Sequence, residues 1–293
     1  MNIKDNLNRG KLLGVCTDLC AHYQAQAFLD NLKYLENSGI NIISAAFQGP
    51  SPEREYYKKS REQRNLNIMR SSSAINADGS LDYNLLAKLE LIIKTADSFG
   101  LAVLVNILDS SCEHIFTDEF AVITGIFNAA DWLISKRFDN ILVNLTNISH
   151  TFYKSSVLNG EKFIDIFKSV KDNAGNRLML GAGMKSFAKV SGSNLDAYIK
   201  SSDFIPIYSV NYKTHSTKKM IENIYFFRAR TNAPVIMAKG DDLNGRHNSY
   251  GRNSMTEALG NNTSWFYYNL DKLVITPVDW GFLRDIRNII FGI

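Results

Sequence analysis

The sequence predicts a single (β/α)8 barrel, and three observations carry that expectation. Short apolar runs alternate with helix-like stretches about eight times along 293 residues, a length near the ~250 residues typical of that α/β architecture. No linker and no break in composition divides the chain, so one domain is expected over residues 1–293. The competing open, doubly wound sheet carries a glycine-rich first turn, whereas the first turn here is Cys16-Thr-Asp-Leu-Cys20, with no G-x-G-x-x-G.

In chain order, Leu12 to Cys16 reads as the first strand, and Gln24 to Asn37 as a helix with Ala27, Phe28, Leu32 and Leu35 at helical spacing. Gly39 ends that helix, and Ile40 to Phe47 is the second strand. Residues 48–83 form a long polar insertion after strand two; its mixed charges suit a solvated face. Leu85 to Phe99 is an amphipathic helix stopped by Gly100, and Leu101 to Leu108 is strand three. A helix over Glu119 to Lys136 precedes strand four, Ile141 to Leu145, which turns polar at Thr146, Asn147, Ser149 and His150. An apolar run ending in polar residues is the pattern of a buried parallel strand that opens onto a site. Gly160 to Asn173 is the next helix, Arg177 to Gly181 strand five, and a Gly/Ser/Lys-rich loop follows. Asp203 to Tyr208, Ala233 to Ala238 and Thr263 to Tyr268 complete the strands, with helices over Ser216 to Arg230, Ser254 to Gly260 and Arg284 to Phe291.

Hydrophobic residues make up 45% of the chain, enough for a large core and too many for a disordered protein. A net charge of +4, from 33 basic and 29 acidic residues, is too mild to mark a nucleic-acid partner. No apolar run approaches the ~20 residues of a membrane helix. The first ten residues carry no apolar signal region, and three cysteines (Cys16, Cys20, Cys112) give no disulfide framework, so a cytoplasmic setting is expected. Cys16, Cys20, His22, Cys112 and His114 match no common zinc spacing, and Cys16 falls inside an apolar strand. The cysteines read as core residues. With no P-loop and no Gly-x-Ser-x-Gly elbow, no metal and no cofactor is expected.

In such barrels the site lies at the C-terminal ends of the strands. The polar residues there are Asp18 and His22 after strand one, Gln48 after two, and Asn106, Asp109, Glu113 and His114 around the end of three. Asn147, Ser149 and His150 follow four, Lys185 follows five, and Tyr208 and Asn211 follow six. Lys239, Asp241, Asp242, Arg246 and His247 follow seven, and Trp265, Tyr267 and Tyr268 lie on eight. Amides, carboxylates and aromatic faces at one rim suit a sugar. Strand alternation offers Tyr267 a packing role instead.

The stretch Trp132-Leu-Ile-Ser-Lys-Arg-Phe-Asp-Asn-Ile-Leu-Val-Asn-Leu-Thr-Asn147 resembles the helix-three to strand-four segment of cellulase-like barrels, glycoside hydrolase family 5-like, clan A. Pro234-Val-Ile-Met-Ala-Lys-Gly-Asp-Asp242 and Asn262-Thr-Ser-Trp265 resemble strand-seven and strand-eight segments of a bacterial branch of that group. Pro277-Val-Asp-Trp-Gly281 and Gly79-Ser-Leu-Asp82 are similar to further motifs of that branch, and the likeness runs from about residue 75 to the end. The resemblance implies an acid/base Glu after the strand-four Asn and a nucleophilic Glu at the end of strand seven. The aligned residues here are Asn147-Ile148 and Lys239-Gly240-Asp241-Asp242. Retaining glycosidases need two carboxyls ~5–5.5 Å apart, one attacking and one protonating the leaving oxygen. Isoleucine and glycine do neither.

Two readings follow from that departure. In the first, the barrel is a carbohydrate-binding or structural protein without the hydrolytic pair. Its pocket uses Asp18, Asn147, His150, Tyr208, Asn211, Lys239, Arg246 and Trp265 with Asp241 and Asp242. In the second, it is an active glycoside hydrolase with relocated acids, Asp241 and Asp242 acting with Asp18, Asp109 or Glu113. The partner is a carbohydrate or an anionic sugar derivative. Lys239, Arg246, His247 and Arg252 in the strand-seven loop suit an anion if they are not simply balanced by Asp241 and Asp242.

Overall fold

The computed structural model describes residues 3–20, 32, 35, 39–48, 73–109, 112–147, 155–158, 160–183, 192–209, 217–240 and 257–268, a few of them by backbone alone. Eight parallel strands form one sheet: β1 (Leu13–Cys20), β2 (Ile42–Ala46), β3 (Ala102–Asp109), β4 (Ile141–Asn147), β5 (Leu180–Gly181), β6 (Ile205–Ser209), β7 (Val235–Gly240) and β8 (Ser264–Tyr268). The helices described between them are α2 (Tyr83–Ser98), α3 (Glu119–Lys136), α4 (Gly160–Ala174), α5 (Gly192–Ser201) and α6 (Thr217–Arg228); α1 (Ile3–Asn8) precedes β1. This is the (β/α)8 barrel that the alternation predicts. None of the described helices is long and apolar enough to cross a membrane.

The helices form where the sequence places stripes and caps. α2 buries Leu85, Leu86, Leu89, Ile92, Ile93 and Ala96. The Asp82 carboxylate accepts from the Asn84 and Leu85 N–H groups at its start. Gly100, with φ +67°, turns the chain out of that helix. α3 begins the same way, with Asp118 accepting from Ala121 N–H at 2.8 Å. Buried Asn140 then ties helix layer to sheet, donating to the Ile93 and Leu101 carbonyls at 3.1 Å each.

Two hydrophobic layers follow from strand alternation. The outer layer joins Val103, Val105, Val143, Leu145, Ile205, Ile207, Val235 and Met237 to the helices. The inner layer fills the lumen floor with Ile42, Ala102, Leu104, Leu142, Phe204, Ile236 and Phe266. Ile3 and Leu7 of α1 close that floor from below.

Strand pairing runs β5-β4-β3-β2-β1-β8-β7-β6, so β5 and β6 are the two edges. Side chains bridge the seam between them. Asp203 N–H donates to Leu180 O at 2.9 Å, and the Asp203 carboxylate accepts from Leu180 N–H at 2.8 Å and pairs with Lys171. One step along, the Tyr198 hydroxyl donates to Ala182 O and accepts from Ala182 N–H at 3.2 Å. At Gly181 an added Cβ would lie 2.7 Å from Phe204 O, so only glycine allows this approach.

Several boundaries differ from those expected. β1 extends to Cys20, with a register shift between Val15 and Leu19, and β5 is only two residues long. α1 and α5 lie where no helix is expected, α5 in the stretch read as part of a loop. In the insertion after strand two, Ser73, Ala74 and Ile75 are buried. An isolated bridge pairs Ile75 with Leu81, and Ala74 N–H donates to Phe47 O. The expected helices over Gln24 to Asn37, Ser254 to Gly260 and Arg284 to Phe291 fall largely or wholly outside the described residues.

Candidate functional site

The lumen changes chemistry from floor to mouth. On β2, lumen-side positions run from Ile42 to Ser44; on β3, from Leu104 to Asn106; on β4, from Leu142 through Asn144 to Thr146. All four polar residues are at most 2% exposed. They lie towards the C-terminal strand ends, where barrels of this class hold their sites. Asn144 Nδ2 donates to Asn106 Oδ1 at 2.7 Å, while Asn144 Oδ1 accepts from Gly183 N–H at 2.8 Å. Thr146 Oγ1 donates to Gly183 O at 3.2 Å. The chain thus builds an uncharged hydrogen-bonding layer above an apolar plug.

Gln48 belongs to this mouth. It follows Phe47, whose N–H continues the ladder by donating to Asn106 O at 2.8 Å. The Phe47 ring meets Trp132 of α3 edge-on at 5.6 Å, on the helix side. Counted on from Ile42 and Ser44, Gln48 has the parity of the lumen-side positions, in the bend that follows β2. Its side chain is 1% exposed, and among the described residues neither amide atom has a hydrogen-bonding partner.

The expected site residues are distributed unevenly. Asp18 lies in the irregular part of β1, Asn147 ends β4 in register with Asp109 and with the parity of Val143 and Leu145 of the outer layer, and Tyr208 lies on β6 with the parity of Phe204. Lys239 has the parity of Met237, which packs in the outer layer, whereas Gly240 shares the parity of Ile236 in the floor. Trp265 was expected at the sugar face. The structure puts it elsewhere: it is 1% exposed and packs in the helix-side cluster with Leu13 and Met237, opposite Phe266. Alternation along β8 assigns it there, and position 268 instead shares the parity of Phe266. His150, Asn211, Asp241, Asp242 and Arg246 lie outside the described residues.

Among the acids proposed as relocated, Asp109 is buried at the end of β3. Glu113 accepts from Ser155 N–H, an anchoring contact with the turn at 155–158. Its neighbour Glu119 accepts from the Ser156 hydroxyl and N–H at 2.6 and 2.9 Å, bonds that hold the carboxyl below the usual carboxylate range. Both acids bond the turn at 155–158. Cys112 is buried against Ile115 and Phe116, and no group of three or more His, Cys, Asp or Glu able to hold a metal gathers among the described residues.

The chain folds as a (β/α)8 barrel with a buried polar layer toward its strand ends. The solved structures it resembles include a glycoside hydrolase family 5 enzyme from Prevotella bryantii B14, 10% identical, covering 100% of this chain and 98% of that one with a TM-score of 0.60. They also include the endo-1,4-beta-mannanase from Rhizomucor miehei, 11% identical over 88% of this chain and 85% of that one with a TM-score of 0.59. A third is ZgEngAGH5_4 in complex with a cellotriose, 11% identical over 99% and 98% with a TM-score of 0.61. A mutant of the Prevotella enzyme is solved with a xyloglucan tetradecasaccharide. No protein-family model matches the sequence, and no curated protein does.

Proposed function

We propose that this chain is a carbohydrate-binding barrel that holds an oligosaccharide at its mouth and does not hydrolyse it through the family 5 carboxylate pair. The observation that carries this reading is the uncharged polar layer of Ser44, Asn106, Asn144 and Thr146 above the apolar floor. Amides and hydroxyls supply donors and acceptors to sugar hydroxyls, but neither group supplies the acid and nucleophile that retaining hydrolysis requires. At the positions that the family resemblance matches to that pair the chain carries Ile148 and Gly240. The oligosaccharides in the complexes of similar fold support this ligand class. Asp18, Asn147, His150, Tyr208 and Asn211, all at or just past strand ends, are proposed to complete the pocket, with Asp241 and Asp242 at its edge. A cytoplasmic setting is proposed on the cysteine content.

A second reading keeps hydrolysis with relocated acids, Asp241 or Asp242 opposite Asp109. It is favoured by the burial of Asp109 at the end of β3, in register with Asn147. Calorimetric titration with cellotriose and xyloglucan oligosaccharides, beside a hydrolysis screen on aryl glycosides and β-glucans, separates the two. Binding without turnover is the expected result. Turnover that disappears in Asp241→Asn or Asp242→Asn would establish the second reading instead.

A further inference from the structure

We infer that Gln48 is a ligand-reading residue, whose side-chain amide takes a pair of adjacent hydroxyls of a bound sugar. The inference rests on the carbohydrate reading above and adds a residue to which neither the family resemblance nor the expected pocket assigns a role.

A buried polar group normally finds a partner, because leaving one unmade is costly. The pattern holds for the neighbouring amides: Asn144 is satisfied by Asn106 and Gly183, and Asn140 by two carbonyls. Gln48 departs from it. Among the described residues both amide atoms are buried without a partner, on a side chain 1% exposed, two residues past the end of β2. The residue before it is firmly held, since Phe47 N–H and C=O bond Asn106 and Ala74 and its ring packs on Trp132. The side chain thus follows an anchored residue just past β2, at a position with lumen-side parity, with its hydrogen-bonding capacity unspent.

A primary amide offers two N–H donors and one acceptor oxygen from a single plane. Two adjacent sugar hydroxyls, each both donor and acceptor, match that pattern bidentately. An isolated charge matches it poorly, since burying one beside an uncharged amide leaves most of its desolvation cost uncompensated. The neighbouring lumen groups, Ser44, Asn106, Asn144 and Thr146, are uncharged as well. Gln48 is therefore a specificity residue for a neutral sugar.

The test compares wild type with Gln48→Met, near-isosteric and apolar, and Gln48→Asn, which withdraws the amide by one methylene. Cellotriose and β-1,4-mannotriose are titrated calorimetrically, and melting temperatures are measured without sugar. The expected result is Kd weakened about tenfold or more in both variants, the scale of one unmade buried hydrogen bond. Gln48→Met should melt no lower than wild type and by about 2 °C higher, because it removes an unpartnered buried group. Binding should be unchanged between low and high salt. Unchanged sugar affinity in both variants would overturn the inference and mean that the amide holds only ordered water. A clear fall in the melting temperature of Gln48→Met would overturn it too, by showing a structural partner. Wild type that binds neither sugar would remove the carbohydrate reading and this inference together; loss confined to the variants tests Gln48 alone.

Discussion

Tyr198 shows how one side chain does the work of a missing strand pair. Its hydroxyl stands between Ala182 N–H and C=O on the β5 edge, and its ring packs on Phe167 at 5.5 Å. Burial pushes its pKa up to about 12. Above pH 10 the unfolded chain loses this proton while the folded chain keeps it, so unfolding is favoured as pH rises toward 12. The contribution is complete below pH 10, and its loss across that window is on the order of 2–3 kcal/mol. Tyr198→Phe should therefore be less stable than wild type at pH 7 by about 1–3 kcal/mol, since it strands the Ala182 groups. It should also show a shallower alkaline fall in stability between pH 10 and 12. Urea titrations of both proteins at pH 7, 10 and 11.5 would check this; equal alkaline slopes would contradict the assignment.

At the scale of elements, the seam between β5 and β6 is the weakest part of the sheet. A two-residue β5 offers little ladder, and edge strands need their backbone groups covered. Asp203 supplies that cover with its own N–H and its carboxylate, and its pairing with Lys171 is partly exposed and adds little. Asp203→Ala is expected to cost about 1–3 kcal/mol, chiefly by orphaning Leu180 N–H. Lys171→Ala should cost less than about 1 kcal/mol. Hydrogen exchange should reveal the difference locally: the Leu180 amide loses protection in Asp203→Ala and keeps it in Lys171→Ala. Equal loss in the two variants would mean that the ion pair, and not the amide bond, holds the seam.

For the whole molecule, floor and mouth are separable. Leu7 of α1 is fully buried under the lumen with Phe266, Leu104 and Ile236, at the end opposite the polar layer. Leu7→Ala should cost about 2–5 kcal/mol, as buried leucine truncations do. Sugar affinity, measured well below the melting temperature, should stay within about twofold of wild type, because distant independent sites act additively. Asp241→Ala with Asp242→Ala should behave in the reverse sense, keeping the melting temperature and weakening the ligand. A large fall in melting temperature for that pair would show that these carboxylates hold the fold.

The architecture is legible in the sequence, because hydrophobic periodicity is a local signal and βα alternation repeats along the chain. The limits of α3 and the stop at Gly100 were legible for the same reason: a capping carboxylate, a 3.6-residue stripe and a left-handed glycine each act within a few residues. The polar ends of β3 and β4 were legible too, as Asn106, Thr146 and Asn147 stand directly after apolar runs. Tertiary structure decided which face each residue took. Trp265 looked like a stacking platform, but the strand alternation that also places Phe266 in the floor sends it to the helix side. The seam through Asp203 and Tyr198 carries no sequence signal, because it joins residues brought together only by closing the sheet. In the sequence Gln48 is one more polar residue past a strand. Its meaning comes from burial without a partner, a property of the three-dimensional surroundings, which no residue type or spacing encodes.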